Sequence, residues 1–230
     1  MKIKSILDLK ISGIKLITYQ HFPDSRGYFT ESYNFTEFAN SGLFDNSKIV
    51  QINESFSKQN VIRGLHFQWN PFMGKLVRTV SGHMIDLVLD LRPSSSTFKK
   101  ILAVDMPFDI EKNENTWIWV PPGFAHGNFF TEPSRIEYLC TGEYNKDCET
   151  GVNPFSDDIN VAAAASPKIV LFPLSLGCIN FEYVSAVINK TLFAWPEAIK
   201  PFAKPSPYIK PEQPRLISKA PILVDKPNFS

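Results

Sequence analysis

A chain of 230 residues with 43% hydrophobic content can bury one good core, and at this length a single domain with an added segment is the expected plan. With 24 basic and 23 acidic residues its formal net charge is +1 and the cations are scattered, which excludes the clustered positive field that nucleic acid or an anionic membrane selects. Cys140, Cys148 and Cys178 are odd in number and lack CxxC spacing, which excludes a disulfide framework and a zinc cluster and leaves three free thiols.

The opening run MKIKSILDLKISGIKL places a lysine every few positions, so it lacks the apolar stretch of a signal peptide, and no later run approaches the roughly 18 to 20 apolar residues of a membrane span. A cytoplasmic protein is expected. NFTEFANSGL, beginning at Asn34, is the first helix candidate, with Asn34 or Thr36 as its cap. From residue 47 to residue 145 short runs rich in Val, Ile, Phe and Trp are broken by SKQN, NPFMG, VSGH and RPSSS, which is the rhythm of an antiparallel sandwich or barrel. VIRGLHFQ, residues 61–68, is one such strand, and its polar residues face either water or a pocket. Lys75–Val80 and Met84–Arg92 alternate with a period of two around Ser81-Gly82-His83 and read as a hairpin. NTWIWVPPGFAHGNFF gives a strand, a sharp turn at Pro121-Pro122-Gly123, and a second strand, because the prolines stop the ladder and glycine permits the reversal. Arg135–Tyr144 is a further strand candidate. SAVINKTLFAW, around residue 190, is a second helix candidate. Beyond residue 155 the texture changes, and the proline-dense stretch from Pro196 to Pro227 predicts an extended tail wrapping the core. The expected division is therefore residues 1–155 as the folded domain and residues 156–230 as a segment packing on it.

Between about residues 20 and 155 the motifs FPDSRGYFTES, QINESFS, VIRGLHFQ, GKLVR, DLVLDLR, WVPPGFAHGN and YLCTGEY follow one another in an order that resembles the dTDP-4-dehydrorhamnose 3,5-epimerase family of deoxysugar biosynthesis. The resemblance implies an all-β, cupin-type antiparallel jelly roll with short helices. It also implies a homodimer and an isomerase acting on a nucleotide-linked 4-keto-6-deoxyhexose without metal or organic cofactor. A ketone at C4 acidifies the C–H bonds at C3 and C5, so inversion needs a base, a donor to the enolate oxygen, and an acid on the opposite face of the ring. His66, in an Arg-Gly-Leu-His-Phe-Gln run similar to the family's, is the expected base, since imidazole titrates near neutral pH. A half-buried histidine bonded to a carbonyl is the bland alternative. Tyr138 falls at the family's tyrosine acid, six residues before Tyr144, and Lys75 falls at the group that contacts the C4 oxygen. A sheet-rim aromatic and an exposed strand-start lysine are the corresponding alternatives. Arg26, Glu31, Gln51, Asn53, Arg63, His126 and Tyr144 complete the implied substrate-binding set, with arginine suited to pyrophosphate oxygens.

Many cupins hold a metal with a His-x-His pair on one strand and a third histidine after a Pro-x-Gly-x-x-His turn. PPGFAH supplies that turn with His126, but Gln68 stands two residues after His66, and His21 and His83 lie in unrelated runs. No catalytic metal is expected. Past residue 155 the resemblance thins: residues 162–190 interrupt it, and Pro221 stands where the family carries an aspartate that pairs with its catalytic histidine. Asp157, Asp158 and Asp225 are candidate substitutes. Two competing readings remain: a sugar 3,4-ketoisomerase, which shuttles protons along one ring face, and a non-catalytic sugar-nucleotide-binding cupin.

Overall fold

The computed structural model describes residues 2–43 and 48–154, together with the backbone of a short strand at 224–225. The helix expected near residue 190 and the tail expected over residues 156–230 lie outside the described residues, that short strand apart.

Strands β1 (Ile3–Asp8), β2 (Lys15–Gln20), β5 (Gln51–Ser57), β7 (Lys75–Ser81), β10 (Glu114–Val120) and β12 (Ser134–Cys140) form one sheet, in the order β1-β2-β10-β7-β12-β5. The second sheet has the order β13-β6-β11-β8-β9-β14, from β6 (Ile62–Gln68), β8 (His83–Asp90), β9 (Ile101–Pro107), β11 (Phe124–Phe130), β13 (Glu149–Gly151) and β14 (Val224–Asp225). Strands β3 (Phe22–Asp24) and β4 (Gly27–Phe29) make a small separate hairpin. Among the described residues all pairings are antiparallel except β14 on β9. Helix α1 (Phe35–Asn40) starts where the Asn34 side chain accepts the Glu37 N–H at 3.2 Å, and Lys146–Cys148 forms one 3-10 turn.

This is the all-β roll that the turn-punctuated rhythm predicts. One expected connection is different. Lys75–Val80 and Met84–Arg92 are strands, but they do not form a hairpin: β7 pairs with β10 and β12, while β8 pairs with β11 and β9 in the opposite sheet. Gly82, at φ +81°, carries the chain across, and a Cβ there would lie 2.5 Å from the Pro133 carbonyl. The same crossing happens at Pro121-Pro122-Gly123, between β10 and β11.

Three apolar layers explain why so few strand faces are wet. Val77, Ile118 and Val120 of the first sheet meet Met84, Val88, Leu102, Val104 and Phe124 of the second between the sheets. Trp117, Trp119, Tyr19 and Leu76 pack on the outer side of the first sheet under Phe38 of α1. Leu65, Phe67, Leu87, Leu89 and Phe129 form the outer layer of the second. Strand β8 is thus buried on both faces, and its two aspartates are enclosed. Asp90 is held by Arg92, Ser95 and Thr97. Asp86 faces the site described next.

Candidate active site

Register places the first half of a polar cluster on one face of the first sheet. Lys75 on β7 is opposite Cys140 on β12, Cys140 is opposite Gln51 on β5, and Tyr138, two residues along, is opposite Asn53. Because side chains alternate with a period of two, all five project to the same side. Gln51 Nε2 donates to Asn53 Oδ1 at 2.9 Å, and Asn53 Nδ2 lies 3.7 Å from the Cys140 sulfur. Cys140 and Cys148 are free thiols, as expected.

The second sheet supplies the other half. His66 on β6 lies directly opposite His126 on β11. Two residues along β8 and β11, His126 Nε2 meets Asp86 Oδ2 at 2.7 Å, and Asn128 Nδ2 donates to the same oxygen at 3.0 Å. Asp86 Oδ1 is buried without a hydrogen-bond partner. The glycine of RGLH has a mechanical reason: Gly64 adopts φ +108°, and a Cβ on it would come within 2.5 Å of Gly127 Cα. Strands β6 and β11 therefore touch backbone to backbone, and their register shifts between His126 and Asn128. The shift breaks the alternation, so Arg63 can reach across to β5, donating to Ser57 Oγ at 2.7 Å and to the Phe56 carbonyl at 3.0 Å.

Electrostatics tie the halves together. Burial pushes the Lys75 ammonium below the usual lysine range, against the opposing influence of the Cys140 sulfur and of the Glu149 and Asp86 carboxylates. Burial pushes the Tyr138 phenol up; Cys140 and Glu149 add to that, and the Arg63 cation opposes it. Glu149 on β13 is the residue that sequence reasoning missed, and its Oε1 stands 3.4 Å from His66 Nδ1. Burial alone would raise its carboxyl, but the His66 hydrogen bond and charge, the Lys75 charge and the Tyr144 hydrogen bond outweigh that and hold it below the usual range.

The expected residues thus divide. His66, Lys75, His126, Tyr138, Gln51, Asn53 and Arg63 belong to the two facing halves, with Tyr144 at the rim. The Tyr144 hydroxyl meets Glu149, and its backbone N–H donates to Gln51 Oε1 at 2.9 Å. Arg26 and Glu31 are tied elsewhere: Arg26 bonds Asp24 at the exposed tip of the β3–β4 hairpin, and Glu31 accepts from Asn34 at the start of α1. Gln68 is a staple between loops, donating to the carbonyls of Pro71 and Glu143 and accepting from the Asn145 N–H. Asp157 and Asp158 lie outside the described residues, as does the side chain of Asp225.

Comparison with known proteins gives one family throughout. The model of the family described as dTDP-4-dehydrorhamnose 3,5-epimerase matches residues 8–172. A protein of that name from Methanothermobacter thermautotrophicus is 37% identical over 161 residues, which cover 69% of this chain and 81% of the relative. The crystal structure of dTDP-6-deoxy-D-glucose-3,5-epimerase from Legionella pneumophila, in complex with dTDP-4-keto-L-rhamnose, is 29% identical, with a TM-score of 0.66 over 74% of this chain and 88% of that one. A 3'-monoepimerase from Streptomyces bikiniensis, in complex with dTDP-quinovose, is 26% identical, with a TM-score of 0.60 over 72% of this chain and 82% of that one.

Proposed function

Since the chain belongs to the dTDP-4-dehydrorhamnose 3,5-epimerase family, whose members are isomerases, we propose that its site inverts C3, C5 or both of a dTDP-linked 4-keto-6-deoxyhexose through an enolate. His66 is the base, Tyr138 the acid, and Lys75 the donor to the C4 oxygen. The observation that carries this reading is that His66 and Tyr138 stand on different sheets while both lie within electrostatic reach of Glu149. A ring held between the sheets then has one proton-handling group on each face.

The steps follow from the chemistry of each group. His66 removes a proton from the carbon beside the ketone, and the electron pair moves to the C4 oxygen. The Lys75 ammonium, desolvated among neighbouring anionic groups, stabilises that developing charge. Tyr138 keeps its proton because burial raises it, and it delivers that proton to the other face. His126, held by Asp86, joins Lys75 around the carbonyl. Gln51, Asn53 and Arg63 bind the remainder of the substrate with Tyr144 at the rim, and Arg26 and Glu31 complete the set from the hairpin side. The ligands named for the Legionella and Streptomyces structures support a dTDP-linked substrate. The name of the Streptomyces protein also keeps single-centre inversion open.

We take the working unit to be a homodimer. Among the described residues strand β5 ends its sheet, and Val50 just before it, with Ile52 and Phe56 along it, are all more than half exposed, an arrangement that a second copy would cover. The decisive experiment is incubation with dTDP-4-keto-6-deoxyglucose in deuterium oxide, followed by NMR. Deuterium at C3, at C5 or at both, with inverted configuration, is expected. A carbonyl moved to C3 would establish a ketoisomerase instead, and tight binding without exchange would establish a binding protein.

A further inference from the structure

We infer that Glu149 is the positioning carboxylate of His66, fixing which ring nitrogen carries the proton and stabilising the ring once it has taken a proton from the substrate. The inference rests on His66 acting as the base. Its ground is the pairing of β13 with β6, which sets Glu149 against Gln68, Thr150 against Phe67 and Gly151 against His66. The position directly opposite His66 is a glycine, so β13 presents no side chain there. Glu149, two residues along the same face, leans into that space and reaches Nδ1 at 3.4 Å. This is long for a hydrogen bond between neutral groups, but it lies within ion-pair range, and the contact has most to gain when the ring is charged.

Two further groups act on the carboxylate: the Lys75 charge and the Tyr144 hydroxyl both help hold it below the usual carboxylate range. The carboxylate thus meets the base directly and feels the charge of the group assigned to the C4 oxygen. The groups that face this pair are Lys75 from β7, Tyr138 from β12, His126 from β11, and Tyr144 from the loop before the 3-10 turn. With Nδ1–H turned to Glu149, the lone pair is left on Nε2. The substrate C–H bond breaks and its proton goes to Nε2. The electron pair goes to the C4 oxygen, and the resulting imidazolium faces an ionised carboxylate that itself never takes the proton.

The test uses the full-length chain in two ways. First, the histidine rings are followed by 15N NMR without substrate. Wild type is expected to hold neutral His66 in the Nδ1–H form, and Glu149→Ala to lose that preference. Second, deuterium exchange into the keto sugar is measured for Glu149→Gln, which keeps the shape and removes the charge. Its kcat should fall roughly a hundredfold or more with KM little changed, and the acidic limb of its rate profile should move to lower pH. Glu149→Asp should recover part of the loss. An unchanged tautomer in Glu149→Ala would overturn the assignment. So would a raised KM at constant kcat in Glu149→Gln, or the same tautomer change produced instead by Asp157→Asn, Asp158→Asn or Asp225→Asn. If wild type exchanges no deuterium, the proposed reaction fails while the tautomer measurement still decides the role of Glu149.

Discussion

At the scale of single residues, the two faces of the ring can be interrogated separately. His66→Ala should lower both solvent exchange and inversion by about a thousandfold, because no enolate forms. Tyr138→Phe keeps the ring's packing and removes only the donor, so the enolate can return to His66 on its original face. Deuterium incorporation with little inversion is the expected result, read by NMR of the recovered sugar nucleotide. Equal loss of both would mean that Tyr138 holds the substrate rather than protonating it. Lys75 gives a pH signature. Its ammonium is lowered by burial while Tyr138 is raised by the same cause, so the alkaline limb of kcat/KM should fall below the usual lysine range and belong to Lys75. The sign for stability is opposite. Burying the ammonium costs folding free energy at neutral pH, the cost shrinks as pH rises through the lowered value, and it is gone above the unfolded lysine value. Lys75→Met should therefore be the more stable protein at pH 7 in urea titrations, with a gap that closes in alkali, and the less active one by roughly a hundredfold or more.

Among elements, β6 depends on a close approach that only glycine allows. Gly64→Ala would push a methyl to 2.5 Å from Gly127 Cα at a φ of +108°, and should cost about 3 kcal/mol in a denaturant titration while misplacing His66. The loop after β8 offers an acid-stability test. Although burial opposes it, hydrogen bonds from Arg92, Thr97 and Ser95 hold Asp90 down at about 2. Its folded value lies below its unfolded one, so its contribution is full above the ordinary carboxylate range and is lost as pH falls toward 2. Asp90→Asn should destabilise by about 2 kcal/mol at pH 6, and the difference should shrink as pH falls through 2 and close only below it. The strands themselves were legible because glycine and proline punctuate them so regularly. The partner of each strand was not: SGH between β7 and β8 looks like a hairpin turn, and only burial of β8 on both faces shows that the chain crosses to the other sheet there. Glu149 was hidden for a related reason. Its nearness to His66 comes from β13 lying down beside β6, a contact between segments far apart in sequence that no local pattern announces. Asp86 did leave a signal, an acidic residue inside the apolar run of β8.

For the molecule as a whole, the exposed edge of β5 leads to a prediction about assembly. Phe56→Lys, placing a charge on that edge, should turn a dimer into a monomer in sedimentation analysis, and an unchanged mass would move the interface elsewhere. Among the described residues no helix is long and apolar enough to cross a membrane. With Gln68 occupied by loop contacts, activity is expected to survive EDTA, and elemental analysis of the purified protein checks the same point. The facing of the two sheets has one more consequence. Stacked sheets sit about 10 Å apart, little more than a hexose needs when lying flat. Val77 beside Tyr138 and Val88 beside His126 are fully buried between the sheets and form the floor beneath those two side chains. Held flat between the sheets as proposed, a sugar would have little room to roll over between losing a proton and gaining one, so that spacing would preserve the facial choice made by His66 and Tyr138. Trimming the floor, with Val77→Ala or Val88→Ala, should then blur the product into a mixture of epimers before it slows the reaction.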